Sequence, residues 1–354
     1  MKNIVLIGLI FTFIFSCDKK EKTENLPVLI HDFNDVEVQN IHIDSTLSIR
    51  AIEVLEDGSL AFAANNNRYG IYNSNGGFRI EKQIQDTLNI QFRAVAHTSN
   101  DFFMLSVGNP ALLYKTRNIG GMELVYREDH QNVFYDAMRF WNDEEGIAIG
   151  DPTSDCISII ITRDGGQTWN KLPCEVLPKI HEGEAAFAAS NTNIAIIGDK
   201  TWVATGGMSS RILYSSDKGQ TWEVVETPII QGKSTTGIYS VDFYDENIGY
   251  AIGGDYTNPA ANTTNKIKTE NGGKTWTLVA DGKNPDYRSC VQYIAKKNGK
   301  ELVAVGFRGI SVSRDGGEHW KQISDESFFT IRFLNDTTAY AAGRNRISKL
   351  TFRE

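Results

Sequence analysis

The chain has 354 residues, 41% apolar and 23% charged, with a formal net charge of −8 and four cysteines. That length holds one large closed β architecture or two ordinary domains, and an acidic balance without a basic cluster argues against nucleic acid as a partner. No phosphate-binding glycine loop, zinc-type Cys/His spacing or nucleophile elbow appears, so no cofactor is implied and no catalytic residue is assigned.

Lys2 precedes an apolar run, Ile4–Phe15, that ends in Ile14-Phe15-Ser16-Cys17. Such a run is too short to cross a bilayer but suits the core of a secretion signal. The small residue before Cys17, followed by Asp18-Lys19-Lys20-Glu21-Lys22, resembles a bacterial lipoprotein signal. The resemblance implies a signal peptide over 1–16, lipid on the sulfur and amino group of Cys17, and a polar tether over 17–30. Residues 31–354 would then lie in the cell envelope, anchored to a membrane and either periplasmic or surface-exposed. Loss of Lys2 with the signal takes the formal charge to −9.

Val36–Ile43 reads as a lone strand with no partner nearby. After it, short apolar strands alternate with polar turns; one unit is Phe92–His97, Phe102–Val107, Ala111–Lys115 and Glu123–Tyr126. Segments of this length with almost no helical periodicity indicate an all-β protein. A turn motif recurs through the chain. It is faint in Asn73-Ser74-Asn75-Gly76-Gly77 and fuller in Thr116-Arg117-Asn118-Ile119-Gly120-Gly121. Four near-copies follow, from Thr162-Arg163-Asp164-Gly165-Gly166-Gln167-Thr168-Trp169 through strings beginning at Ser215 and Thr269 to Ser313-Arg314-Asp315-Gly316-Gly317-Glu318-His319-Trp320.

Repeats at these spacings suit one four-stranded propeller blade each. After the last copy come three strands, Phe328–Phe333, Thr338–Ala342 and Ile347–Phe352, and the sequence ends. Val36–Ile43 supplies their missing outer strand and removes two open edges. The expected fold is a seven-bladed β-propeller of four-stranded antiparallel blades, closed by the N-terminal strand.

The repeated string has a structural task. Its Asp or Asn bonds nearby backbone N–H groups, its glycines take left-handed positions, and its Trp packs between blades. Calcium binding is disfavoured because the alternating carboxylates of a calcium loop are absent. Cys156 and Cys174 flank one such turn almost symmetrically and can face each other across the hairpin, where export would permit a disulfide. Cys290 reads as a buried apolar residue.

In an up-and-down blade the start of the inner strand and the end of the second strand share a face, opposite the repeated turns. Arg50, Arg93 and Arg288 stand at inner-strand starts; Glu184 precedes an inner strand, and Asp151 and Asp255 follow second strands. Tyr256, Asn109 and Ser289 are neighbours on that face. Such a cluster around a central funnel suits an anionic or hydroxyl-rich ligand. The alternative is a set of solvated rim charges that pair with one another.

The Asp-box strings resemble those of sialidase/BNR-type repeat propellers. A closer resemblance is to bacterial homologues of the photosystem II stability/assembly-factor propellers. It is carried by Gly150-Asp151-Pro152, Glu184-Ala185-Ala186-Phe187-Ala188-Ala189-Ser190, Gly253-Gly254-Asp255-Tyr256, Tyr287-Arg288-Ser289 and Ser313-Arg314-Asp315-Gly316-Gly317. The photosynthetic relatives are assembly chaperones that bind a membrane-protein precursor, so the resemblance implies a monomeric binding or assembly factor for a protein partner. A sialidase-like glycoside hydrolase acting on a glycan is the alternative, with Arg50, Arg93 and Arg288 as its arginine trio and Tyr256 with Glu184 as its nucleophile pair. Against it, the Phe/Tyr-Arg-Ile-Pro signature is absent: Phe78-Arg79-Ile80-Glu81 carries Glu for Pro and follows a turn motif. A purely structural envelope lipoprotein is the remaining reading.

Overall fold

The computed structural model describes residues 32–84, 88–117 and 120–354. The signal segment, Cys17 and the tether to residue 30 lie outside the described residues. Seven four-stranded antiparallel blades form a ring. Blade 1 is Ala51–Val54, Leu60–Ala63, Arg68–Tyr72 and Phe78–Lys82, ordered from the axis outward. Blade 2 is Phe92–His97, Phe102–Ser106, Ala111–Thr116 and Met122–Glu128. Blade 3 is Tyr135–Phe140, Gly146–Gly150, Ser158–Thr162 and Asn170–Lys171. Blade 4 is Ile194–Ile197, Lys200–Ala204, Arg211–Ser215 and Glu223–Glu226. Blade 5 is Thr236–Phe243, Gly249–Asp255, Lys266–Thr269 and Thr277–Leu278. Blade 6 is Cys290–Tyr293, Leu302–Gly306, Gly309–Ser313 and Lys321–Ser324.

Blade 7 takes its inner three strands, Thr330–Phe333, Thr338–Ala342 and Arg344–Arg353, from the end of the chain. Its outer strand is Asp35–Ser48, paired from Asp35 opposite Arg353 to Ser48 opposite Arg344 with register shifts after Asn40 and after Ile43. The expected closure is therefore present, with a longer strand than the apolar run alone marked. Joining the two ends of the chain in one sheet leaves the ring without an unpaired seam.

The Asp boxes hold the turns between third and fourth strands. In blade 3, Thr162 Oγ1 accepts from the Gly166 N–H at 2.9 Å, and Asp164 accepts from the Thr168 N–H at 2.9 Å and the Thr168 hydroxyl at 2.6 Å. Gly165 and Gly166 have φ of 69° and 74°, which side chains disfavour. Blade 6 repeats the pattern with His319 in place of Thr, its ring nitrogen 2.8 Å from Asp315. Apolar residues from neighbouring blades interleave into continuous clusters; that between blades 2 and 3 joins Phe103 and Leu105 to Tyr135, Met138 and Trp169. The core is thus a set of radial seams between blades. Cys156 and Cys174 are disulfide-bonded with Cα atoms 5.4 Å apart, and Cys290 is a buried free thiol.

A segment absent from the simple blade count runs between blades 3 and 4. Glu184–Ala185 pairs with Gly206–Gly207, which in turn adds to the inner edge of blade 5 at Gly237. Residues 186–193 then enter the axis and bond to all seven blades. Asn191 donates to Val95 O at 2.8 Å and accepts from the Met138 N–H at 3.0 Å. Ser190 bonds Ser289 O at 2.6 Å, and its own carbonyl accepts from Thr330 at 3.0 Å. Thr192 bonds Ser240 at 2.8 Å, Asn193 O accepts from the Ala204 N–H at 2.9 Å, and Arg50 reaches Ala189 O at 3.3 Å. Ser190, Asn191 and Asn193 are completely buried. The axis is a cup with a floor, not a channel.

Candidate functional site: the mouth above the plug

One end of the axis, on the face opposite the Asp boxes, gathers side chains from inner strands that break their own regularity. Blades 2, 3 and 5 each have a register shift at the same point of the inner strand: between Phe92 and Ala94, between Tyr135 and Ala137, and between Ile238 and Ser240. The residues skipped are Arg93, Asp136 and Tyr239. A bulge re-aims the extra residue out of the ladder, and bulges are common beside binding sites. Here three of them supply the walls of the mouth.

Arg50, just before the inner strand of blade 1, lays its guanidinium 3.9 Å from the centre of the Phe329 ring. Among the described residues it donates one hydrogen bond, the long one to Ala189 O, and its Nε, buried, has no partner. Burial and the neighbouring charge of Arg93 bring its pKa down to about 10. Arg93 makes only a 3.4 Å bond to Gln91 and approaches the Phe134 ring at 5.9 Å; burial lowers its pKa as well. Neither arginine forms an ion pair with a described carboxylate.

Asp136 is fully buried, and neither carboxyl oxygen accepts a well-formed hydrogen bond. Burial and the nearby Asp151 push its carboxyl well above the usual carboxylate range, with Arg93 pulling the other way. Burial also pushes Asp151 up to about 6, against the 2.9 Å bond from the Ala186 N–H. The four groups are coupled through space. Burial thus disfavours the charged form of Asp136 beside Arg93, and the mouth offers two desolvated cations next to Asp151, a carboxyl raised to about 6.

An aromatic wall faces them. Phe187 stacks on Tyr239 at 4.0 Å and 2°, and Tyr239 meets the Tyr287 ring edge-on at 4.9 Å. Phe307 continues the row 5.1 Å from Tyr287, and Tyr256 flanks Tyr239 at 6.5 Å. Tyr256 and Phe307 are the exposed members, 49% and 38% accessible.

Not every residue that the sequence places on this face turns into the mouth. Arg288 is completely buried and points away from the axis, pairing with Asp286 and bonding Ser311 and Gln322 at 3.1 Å on the outer strands of blade 6. Glu184 is also sealed in. It forms a bidentate pair with Arg211 at 2.6 and 3.1 Å and accepts from Thr205 at 2.6 Å and the His181 N–H at 2.9 Å. A sialidase-like arginine trio is therefore not assembled, and Glu184 has no capacity left for Tyr256.

Asp255 is buried in a turn. Burial would raise its pKa, but bonds from Thr257 at 2.6 and 2.9 Å outweigh that and hold it below the usual range. Ser289 bonds Phe329 O at 2.7 Å and supports the plug. Asp136, Tyr239, Phe134 and Phe329 are mouth residues the sequence reading passed over. Asp136 stands second in its inner strand, as Arg93 does in its own, so aligning inner strands by register would have found it. Among the described residues, no group of His, Cys, Asp and Glu is placed to hold a metal ion.

Fold and repeat together define the class: an Asp-box β-propeller with a closed axis and a cationic, aromatic mouth. The BNR/Asp-box repeat model matches residues 160–171. In overall structure the chain is similar to YCF48 bound to a D1 peptide, with TM-score 0.66 and 13% identity over 92% of this chain and 100% of that one. It is also similar to YCF48 from Cyanidioschyzon merolae, with TM-score 0.61 and 12% identity over 90% and 98%. A catalytically inactive virginiamycin B lyase from Staphylococcus aureus with quinupristin matches at TM-score 0.60 and 12% identity over 90% and 100%. No curated protein matches the sequence. At these identities the similarity establishes the seven-bladed fold, and function has to be argued from the site.

Proposed function

We propose that the mouth binds an extended segment of a protein partner, and that the chain is a lipid-anchored, extracytoplasmic assembly or binding factor. The observation that carries this reading is the pair Arg50 and Arg93, both desolvated and neither ion-paired with a carboxylate among the described residues. Guanidinium groups left in that state favour an incoming carboxylate or other anion, or a main-chain carbonyl as acceptor. The aromatic wall beside them supplies the rigid apolar area that concentrates binding energy in protein interfaces. The YCF48 structure with a D1 peptide supports a peptide as ligand on a similar ring. The Cys17 context supports the anchor, and the disulfide suits an oxidising compartment.

The test is affinity purification of the full chain from envelope membranes, with mass spectrometry of what accompanies it. The wild type should enrich a protein that Arg50→Ala/Arg93→Ala does not. Equal enrichment by both would remove the mouth from the account.

A further inference from the structure

Behind the aromatic wall the protein buries an ammonium group among neutral oxygens. Lys266 opens the third strand of blade 5 and is 1% exposed. Its Nζ donates to Asn265 Oδ1 at 2.6 Å, Pro285 O at 2.8 Å, Lys283 O at 2.9 Å and, more distantly, Asn262 O at 3.4 Å. Among the described residues it forms no ion pair with a carboxylate. Burial brings its pKa down to about 8; Asp281 and Asp286 pull the other way through space, and Arg288 adds to the lowering.

A buried charge persists only where hydrogen bonds replace its hydration shell. Lysine has three N–H donors, and three short acceptors surround this one. In chemical terms the cage is a site for a small monovalent cation, and the chain supplies the cation itself.

The oxygens come from two stretches that contain no strand of their own. Asn262 and Asn265 belong to the hairpin between the second and third strands of blade 5, which sets out from Tyr256. Lys283 and Pro285 belong to the crossing from blade 5 to blade 6, which leads into Tyr287. Both tyrosines stand in the aromatic wall. Lys266 joins the two stretches at one point, and weaker links run beside it: Asn265 Nδ2 to Pro285 O at 3.2 Å, and the Tyr287 N–H to Pro259 O at 3.2 Å.

We infer that Lys266 is a positioning residue for the mouth: its ammonium fills an oxygen-lined cation site that fixes Tyr256 and Tyr287 relative to one another, and without lysine that site takes a primary alkylammonium ion. The role at the mouth rests on the binding function proposed above; the cation site does not. Arginine is no substitute, because its planar fork does not match a cage that closes around a compact point charge.

Hydrogen–deuterium exchange on the full chain reads the site without any partner. Lys266→Met keeps the apolar stem and removes the donors, so exchange should accelerate across residues 254–290 while blades 1 to 3 keep wild-type protection. Lys266→Ala should lose the same protection and regain it saturably with propylammonium chloride, which restores the missing carbons and nitrogen. Tetramethylammonium chloride at equal ionic strength has no N–H to donate and should restore nothing. Unchanged protection in both variants, faster exchange spread over all seven blades, or equal rescue by the two salts overturns the inference. Should Lys266→Ala not fold alone, refolding in each salt is the readout: recovery with propylammonium alone supports the site, and recovery with both or neither overturns it. Undiminished partner capture by Lys266→Met with local protection lost would sink the functional reading of the wall and leave the cation site standing.

Discussion

Two pairs of arginines stand on the propeller axis with the plug between them, and the protein surrounds them differently. At the Asp-box end, Arg139 and Arg332 both pair with Glu53, which is 8% exposed, and both donate to Asn191 O at 3.1 and 3.2 Å. Burial would raise the Glu53 pKa, but the two guanidinium groups outweigh it and hold the carboxyl below its usual range. At the opposite end, Arg50 and Arg93 repel one another, and Asp136, the acid that interacts with Arg93, is pushed toward its protonated form. Neutralised arginines hold the floor in place. Those left uncompensated are available to something from outside, which is why binding is assigned to the mouth.

The largest expected effect comes from breaking the neutralised end. Glu53→Ala removes the ion-pair partner of buried Arg332 and half-buried Arg139 and should cost roughly 3–5 kcal/mol of unfolding free energy. Denaturant titration would detect it as a fall in midpoint, and partner affinity at the mouth should survive in whatever fraction folds. Arg50→Ala/Arg93→Ala should do the reverse, weakening partner binding by at least roughly tenfold while changing stability by about 1 kcal/mol or less. Interchanged phenotypes would erase the contrast between the two ends.

Arg288→Ala sharpens the comparison. Its loss leaves Ser311 and Gln322 short of a donor inside blade 6, so stability should drop by roughly 2–3 kcal/mol with binding unchanged. If binding is lost without destabilisation, Arg288 belongs to the mouth after all.

That residue also marks where sequence reasoning reaches its limit. Asp-box turns are legible because Thr162, Asp164, Gly166 and Thr168 bond within four positions of one another. The closing strand follows from counting strands and refusing an open edge. Arg50, Arg93 and Arg288 all stand at inner-strand starts, yet direction is set by neighbours far away in sequence: a bulge turns Arg93 to the axis, and Asp286 with Ser311 draws Arg288 outward. Glu184 is decided by Arg211, 27 positions on. The plug was hidden for the same reason in stronger form, since all but one of the bonds described go to blades far away in sequence, the exception being Asn193 to Ala204.

The smallest expected effect is on pH. Asp151 has a folded pKa raised to about 6, so its carboxylate is less favourable in the native state than in the unfolded chain. Its contribution to stability is complete below the unfolded value near 4 and declines as pH rises through about 6. Asp242, also raised to about 6 by burial, titrates on the floor side, so stability alone would mix the two. Binding separates them, because Asp151 is the acid coupled to Asp136 at the mouth. An anionic partner should bind more tightly as pH falls from 7 to 5. Asp151→Asn should tighten binding at pH 7 by roughly threefold and flatten that profile, as removing one like charge from the rim predicts.

Site-specific photocrosslinking from the two faces tests the central claim most directly. A photoreactive phenylalanine derivative would replace exposed Tyr256 at the mouth in one form of the full chain and exposed Glu246 on the Asp-box face in another. The account predicts a partner adduct from position 256 that disappears with Arg50→Ala/Arg93→Ala, and none from position 246. An adduct from 246 with silence at 256 would contradict it.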